Sequence, residues 1–126
     1  MICRARAGFT LVELIIVVVI IGLFATIVIP KFSSSRDKAL VAAMKSDLRN
    51  LVTQQEARLA DSGSYATSFP ATLWSPSTGV TGPSISLTPT GWTARVGHTS
   101  TTRICAIFVG STSLAPAIKE GVPTCT

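Results

Sequence analysis

An unbroken apolar run dominates the start of the chain. Residues 14–29 carry no charge, and Thr26 is the only hydroxylated residue among them. Counted from Phe9 to Ile29, the run has 21 residues. As a helix it would span roughly 30 Å, the thickness of a bilayer's hydrocarbon core. The pattern therefore predicts a hydrophobic helix over residues 9–30 that is long enough to cross a membrane.

A second pattern follows in residues 31–61, where apolar or uncharged positions recur every three or four residues. This spacing is typical of a helix that buries one face. The stripe consists of Leu40, Met44, Leu48, Leu51, Val52, Gln55 and Leu59. The charged residues predicted to lie largely off the stripe are Lys38, Lys45, Asp47, Arg49 and Arg58. We expect this amphipathic helix to pack on its own domain.

One helix from Phe9 to about Leu59 would carry two weak points. Pro30 removes a backbone donor and clashes with the preceding turn, so a bend is expected near it. Gly22 costs about 1 kcal/mol of helix stability relative to Ala. Residues 22–30 are therefore where the helix would stretch or melt during assembly, and a gentle kink is the alternative.

The composition changes after Asp61, and residues 62–126 are rich in Ser, Thr, Gly and Pro. Alternating segments between turn signals predict strands at 84–88, 91–97 and 103–109. In the second, Trp92, Ala94 and Val96 share one face, and a polar loop after it predicts an antiparallel hairpin. Because about 65 residues make only a small core, this domain should pack on the helix stripe. The predicted fold class is α+β, a long N-terminal helix packed on a small antiparallel β-sheet.

Charge adds a short N-terminal segment to this plan. The chain has 11 Lys and Arg against 6 Asp and Glu, a net charge of +5. Two of the positive residues, Arg4 and Arg6, lie in residues 1–8, before the apolar run. Without them the balance is 9 − 6 = +3. That excess is small and dispersed, so nucleic-acid binding is possible but not indicated.

Glu13 is the one acidic residue close to the apolar run. A secretory signal would have a shorter apolar core and a small-residue cleavage site. A plain membrane anchor explains the length and could tolerate Glu13 one turn from its start, but it would leave this carboxylate unpaired. If the chain is cut between Gly8 and Phe9, the new amine of Phe9 could sit against Glu13 of a neighbouring helix. Each buried charge would then have a partner, as buried charges require.

The stretch GFTLVELIIVVVIIGLFATIVIP, residues 8–30, resembles the N-terminal signature of type IV pilins and pseudopilins. The shared pattern is a basic leader that ends in Gly, followed by Phe, Thr-Leu-x-Glu-Leu and an apolar helix. Gly22 and Pro30 also match family positions. The resemblance is strong over residues 1 to about 35, and elsewhere it extends only to the general layout.

The resemblance implies processing and assembly steps. A prepilin peptidase would cut after Gly8 and methylate the amine of Phe9, and Glu13 would take part in subunit assembly with Phe9. The implied partners are other copies in a helical filament, the peptidase and the inner-membrane assembly machinery. The precursor is expected as a single-pass protein of the inner membrane, and the mature chain as part of an extracellular pilus.

The cysteines predict one disulfide. Cys3 would leave with the leader, so Cys105 and Cys125 would remain as a pair in an exported domain. Their bond would stabilise the domain by roughly 3 kcal/mol by closing a loop in the unfolded chain, and it would attach the C-terminal tail to a strand. Disulfide-bounded C-terminal regions also occur in the pilin family.

No catalytic, metal or cofactor site is predicted. His98 is the only histidine and lies in a polar loop, and no nucleophile–base set or phosphate-binding Gly loop can be built. Glu120 is the only acid after Asp61, which argues against a multidentate calcium site of the kind some pseudopilins carry.

Two classes of function remain. The first is a structural subunit of a filament for adhesion, motility or DNA uptake, either a type IV pilin or, alternatively, a minor pilin or type II secretion pseudopilin. The second is a membrane-anchored module that binds DNA or a surface. Glu13 distinguishes the two, because a filament core requires it and a monomeric anchor does not.

Overall fold

The computed structural model describes residues 8–110 and 113–126 of the 126-residue chain. One helix, α1, spans Leu11–Ser62. Four strands follow: β1 at Val80–Thr88, β2 at Gly91–His98, β3 at Thr101–Val109 and β4 at Thr124–Cys125. The α+β architecture predicted from the sequence is therefore confirmed.

The chain divides into two compact units, one up to Arg36 and one formed by Asp37–Thr126. In the first unit, Gly22 and Pro30 both lie within α1, which is assigned as helix without interruption. A stretching of residues 22–30 during assembly stays a prediction. The second unit contains the rest of α1 together with the sheet.

The core of the second unit lies between α1 and the sheet. Met44, Leu48, Leu51 and Gln55 are fully buried on the helix side, as the predicted stripe requires, and Val52 packs against the same cluster. From the sheet and its neighbouring loops come the other buried members: Trp74, Val80, Trp92, Ala94, Val96, Cys105 and Ile107.

The sheet is antiparallel, in the order β1-β2-β3-β4. The predicted hairpin of β2 and β3 is confirmed, with Trp92 opposite Val109 and Val96 opposite Cys105. Trp92, Ala94 and Val96 are all buried, as their alternation predicts. The first strand begins at Val80, earlier than predicted. Val80 and Thr81 also pair with β2, and a register shift separates them from the regular pairing that starts at Ser84.

The C-terminal tail closes the far side of the sheet. Cys125 in β4 lies opposite Cys105 in β3, and the two form the disulfide that the sequence predicts. On the sheet face away from α1, Ala106, Phe108 and Ala117 form a second small buried cluster. The tail thus covers both an edge and part of one face of the sheet.

Gln55 fixes the chain as it leaves α1. Its side-chain nitrogen donates to the carbonyl of Ala66 at 2.6 Å, and its side-chain oxygen accepts the Ala66 N–H at 2.9 Å. Because both polar groups of the buried amide form hydrogen bonds, these bonds offset the cost of removing the amide from water. The helix itself ends at Ser62, and the next residue, Gly63, has a positive φ of 70° and donates its N–H to the Leu59 carbonyl.

Asp47 corrects one sequence expectation. It was predicted to lie largely off the buried stripe, but it is only 4% exposed. Its carboxylate accepts the backbone N–H of Ser77 and the Ser77 hydroxyl, both at 2.8 Å, and its own carbonyl accepts the Trp74 indole N–H. Helical periodicity could not reveal this because the partners lie 27 and 30 residues away.

Candidate functional site: the N-terminal segment

The candidate site is the start of α1, where Gly8, Phe9 and Glu13 lie. The rest of the predicted leader, with Cys3, Arg4 and Arg6, falls outside the described residues. Phe9 is 86% exposed, and Gly8 is exposed as well. The Gly8–Phe9 peptide bond therefore joins two exposed residues, as is required if an enzyme is to reach it.

Thr10 and Glu13 form a reciprocal cap at the first turn. Thr10 donates its backbone N–H and its hydroxyl to Oε2 of Glu13, at 2.9 and 2.8 Å. In return the Glu13 N–H donates to the Thr10 hydroxyl oxygen at 3.2 Å. This is the capping box, which satisfies backbone donors that a helix start leaves free. It explains why α1 begins at Leu11 rather than at Phe9 as predicted.

Both Thr10 bonds use the same carboxylate oxygen. Within residues 8–110 and 113–126, no side chain or backbone group donates to the other oxygen, Oε1. A carboxylate offers about four acceptor positions, so the cap leaves capacity for a further donor. This cap was not predicted, although its signal is present in the sequence: Thr10-Leu-Val-Glu13 fits the S/T-x-x-E pattern of a capping box.

The helix surface beyond Glu13 is apolar and uncovered. Every large apolar side chain from Phe9 to Phe32 is between 43 and 86% exposed. α1 is also long and apolar enough to cross a membrane. The single hydroxyl in the run, on Thr26, donates to the Leu23 carbonyl at 2.8 Å, so it adds no unsatisfied donor to the apolar surface.

Elsewhere in residues 8–110 and 113–126 the structure brings together no set of side chains suited to catalysis or metal binding. His98 is the last residue of β2, and its Nδ1 accepts the Ser100 N–H at 3.0 Å. This hydrogen bond lies within the turn between β2 and β3. Among the residues that the structure describes, no three His, Cys, Asp or Glu side chains are close enough to hold a metal ion.

A family model agrees with the N-terminal motif. The model of the prokaryotic N-terminal methylation motif matches residues 3–29, which include Gly8, Phe9 and Glu13. No solved structure matches the chain.

The curated relatives include type II secretion core proteins and type IV pilus proteins. One is the type II secretion system core protein G of Pseudomonas aeruginosa, 36% identical over 62 residues, which are 49% of this chain and 44% of that protein. Another is the type IV major pilin protein PilA of Myxococcus xanthus, 39% identical over 59 residues, 47% of this chain and 27% of the relative. A third is the type IV wide pilus major component PilA4 of Thermus thermophilus, 34% identical over 70 residues, 56% of this chain and 53% of the relative.

With the apolar helix and its capped start, these matches support a protein of the type IV pilin family. The family as matched here includes both pilins and secretion pseudopilins. The matched segment spans about half or less of the length of the relatives named. These relatives are pilins and a secretion core protein, in agreement with the expectation of a structural rather than an enzymatic role.

Proposed function

We propose that the chain is a structural subunit that polymerises through its N-terminal helix into an extracellular filament. The observation that carries this proposal is the exposure of every large apolar side chain from Phe9 to Phe32. Soluble proteins rarely leave a continuous apolar surface of this extent in water. Such a surface needs either lipid or other protein to cover it.

The same surface can be covered twice in succession. Before assembly, the apolar half of α1 would lie in the inner membrane and hold the precursor there as a single-pass protein. During assembly, neighbouring helices would replace the lipid. Lipid and helix side chains are about equally apolar, so packing and specific polar contacts must drive the exchange.

Glu13 supplies the polar contact in this proposal. A prepilin peptidase would cut between Gly8 and Phe9 and methylate the new amine of Phe9, which remains a cation. Oε1 of Glu13, left unused by the Thr10 cap, is the acceptor for the Phe9 amine of a neighbouring subunit. Pairing the two charges removes the cost of burying each of them alone and sets the axial register between subunits.

The capping box makes this pairing more specific. Because Thr10 holds one carboxylate oxygen, the Glu13 side chain is fixed beside the first turn rather than free to rotate. A fixed acceptor loses less conformational entropy when it binds a donor. The local contact and the proposed intersubunit contact therefore use different oxygens and are compatible.

A pseudopilin of a type II secretion system is the second candidate. It is favoured by the relative named core protein G, whose match covers 62 residues at 36% identity. Both candidates polymerise with inner-membrane assembly machinery and differ in where the filament ends. Abundance of the subunit in filaments sheared from the cell surface supports the pilin, whereas loss of protein secretion on deletion supports the pseudopilin.

The experiment is mass spectrometry of the subunit purified from its native host. A mature chain that begins with N-methylated Phe9 is expected in a polymer fraction that sediments. The matched control replaces Gly8 with Leu, because a bulky residue at the cut should leave an uncut, membrane-retained precursor. A sedimenting polymer of chains that begin at Met1, or that are cut near Pro30, would contradict the proposal.

A further inference from the structure

The two edges of the sheet are unequal. Along the outer edge of β3, the C-terminal tail supplies β4, and Gly121 and Thr126 donate their N–H groups to the carbonyls of Phe108 and Ile104 at 2.9 and 3.1 Å. A disulfide holds the tail in place. The other edge is β1, and no strand pairs with its outer side in the part of the chain that the structure describes.

The bonds on the closed edge fix the direction of the backbone groups in the regular part of the sheet, between its register shifts. In an antiparallel ladder, alternate residues direct their N–H and C=O groups to opposite sides of the strand. Because Ile104 and Phe108 bond outwards to the tail, Ile107 between them must bond inwards to its partner on β2, Ala94.

The same alternation carries over to β1. Since Ala94 bonds towards β3, its neighbour Thr93 bonds towards β1, where its partner is Ser86. Ile85 and Leu87, on either side of Ser86, therefore point their N–H and C=O groups outwards. These are four backbone groups on an open edge, and the two residues that carry them are two apart.

Nothing in the composition of residues 84–88 protects this edge. Natural edge strands are commonly blunted by charge, proline or bulges. Here Pro83 and the register shift between Thr81 and Ser84 distort only the start of the strand. Residues 84–88, SISLT, are uncharged. The loop between α1 and β1 makes no backbone hydrogen bond to them among the described residues.

We propose that this edge is an interaction surface for a second copy of the chain, which pairs antiparallel with it about a two-fold axis through Ser86. In that register Ile85 lies opposite Leu87 of the second copy, and Leu87 opposite its Ile85. Both pairs are of the hydrogen-bonded kind, so all four outward groups are satisfied. Leu87, 46% exposed in the single chain, gains an apolar neighbour across the new strand pair.

The pairing is separate from polymerisation through the N-terminal helix. A two-fold interface uses the same patch on both copies, so it closes after two and does not propagate. In a filament, it would join two filaments side by side. In detergent, it would join two subunits whether or not filaments form.

The test is Ser86→Cys in the full-length chain, purified in detergent and exposed to mild oxidant. In the proposed register the two introduced cysteines form a non-hydrogen-bonded pair with Cα atoms about 4.5 Å apart, which suits a disulfide. The control is Thr102→Cys, an exposed hydroxyl position on β3 next to the closed edge. We expect the Ser86→Cys chain to cross-link at least about tenfold faster than the control, because pairing raises the effective thiol concentration.

A second substitution tests the register. Adding Leu87→Lys to Ser86→Cys places a charge opposite Ile85 and should slow the cross-link several-fold, while adding Thr102→Lys should not. Tryptophan fluorescence confirms that each variant is folded. Equal cross-linking of the Ser86→Cys and Thr102→Cys chains would overturn the proposal. So would a Ser86→Cys cross-link whose rate is unchanged by Leu87→Lys in folded protein.

Discussion

Both halves of α1 are rich in apolar residues, but the first half exposes them and the second half buries them. From Phe9 to Phe32 the large apolar side chains are 43–86% exposed, whereas Met44, Leu48 and Leu51 are fully buried. The difference lies in arrangement. The first half is apolar on every side, and the second confines its apolar residues to one stripe. An all-round apolar helix needs lipid or other copies, while a striped one folds on its own domain.

The comparison predicts a large loss of stability from Leu→Ala in the second half of α1 and almost none from the same substitution in the first half. Leu48→Ala should lower the free energy of unfolding of the second unit by about 2–5 kcal/mol, because Leu48 is fully buried. Leu14→Ala is the matched control at a side chain that is 62% exposed, and it should change that value by less than about 0.5 kcal/mol.

Tryptophan fluorescence in detergent measures this difference directly. Trp74 and Trp92, the only two tryptophans, both lie in the core of the second unit, so the signal does not report on the apolar half. Equal destabilisation by Leu14→Ala and Leu48→Ala would show that the apolar half is part of the domain's core.

The disulfide should stabilise only the second unit. Replacing both Cys105 and Cys125 with Ala should lower its free energy of unfolding by about 3 kcal/mol, because the bond closes a separation of 20 residues. A reducing agent should destabilise the wild-type chain by a similar amount and leave the double variant unchanged. If reduction destabilised both chains equally, its effect would not come from this bond.

Substitution of Asp47 should destabilise the second unit less, through the loss of hydrogen bonds. Asp47→Ala removes the acceptor of two Ser77 donors. It leaves the Ser77 backbone N–H without this acceptor and should lower the free energy of unfolding by about 1–3 kcal/mol. Ser77→Ala removes only the hydroxyl bond and should cost about 1 kcal/mol. Because both substitutions break the same contact, the double variant should be less destabilised than the sum, and strict additivity in a double-mutant cycle would refute the contact.

Sequence patterns predicted the features that depend on neighbouring residues. The stripe from Met44 to Gln55 and the alternation of Trp92, Ala94 and Val96 follow from the helix and strand periods, and the structure confirms both. The pairing of Cys105 with Cys125 could be predicted because no other cysteine remained once the leader was set aside.

Features that depend on distant partners could not be predicted. The burial of Asp47 requires Ser77, 30 residues later in the chain, and no local pattern marks that pair. The open edge of β1 likewise follows from strand order and from the path of the C-terminal tail. The Thr10–Glu13 cap is different, because its S/T-x-x-E signal is local and could have been predicted from the sequence.

The most direct test of the account is the number of surface filaments per processed subunit in Glu13→Ala cells. Membrane insertion and cleavage should persist, because the span becomes more apolar and Gly8 and Phe9 are unchanged. Assembly should fail or fall sharply, because a Phe9 amine buried without its counter-charge costs roughly 3–5 kcal/mol. Glu13→Gln should be intermediate, since its amide oxygen still accepts a hydrogen bond. Normal filament numbers from processed Glu13→Ala subunit would contradict the charge-pairing account.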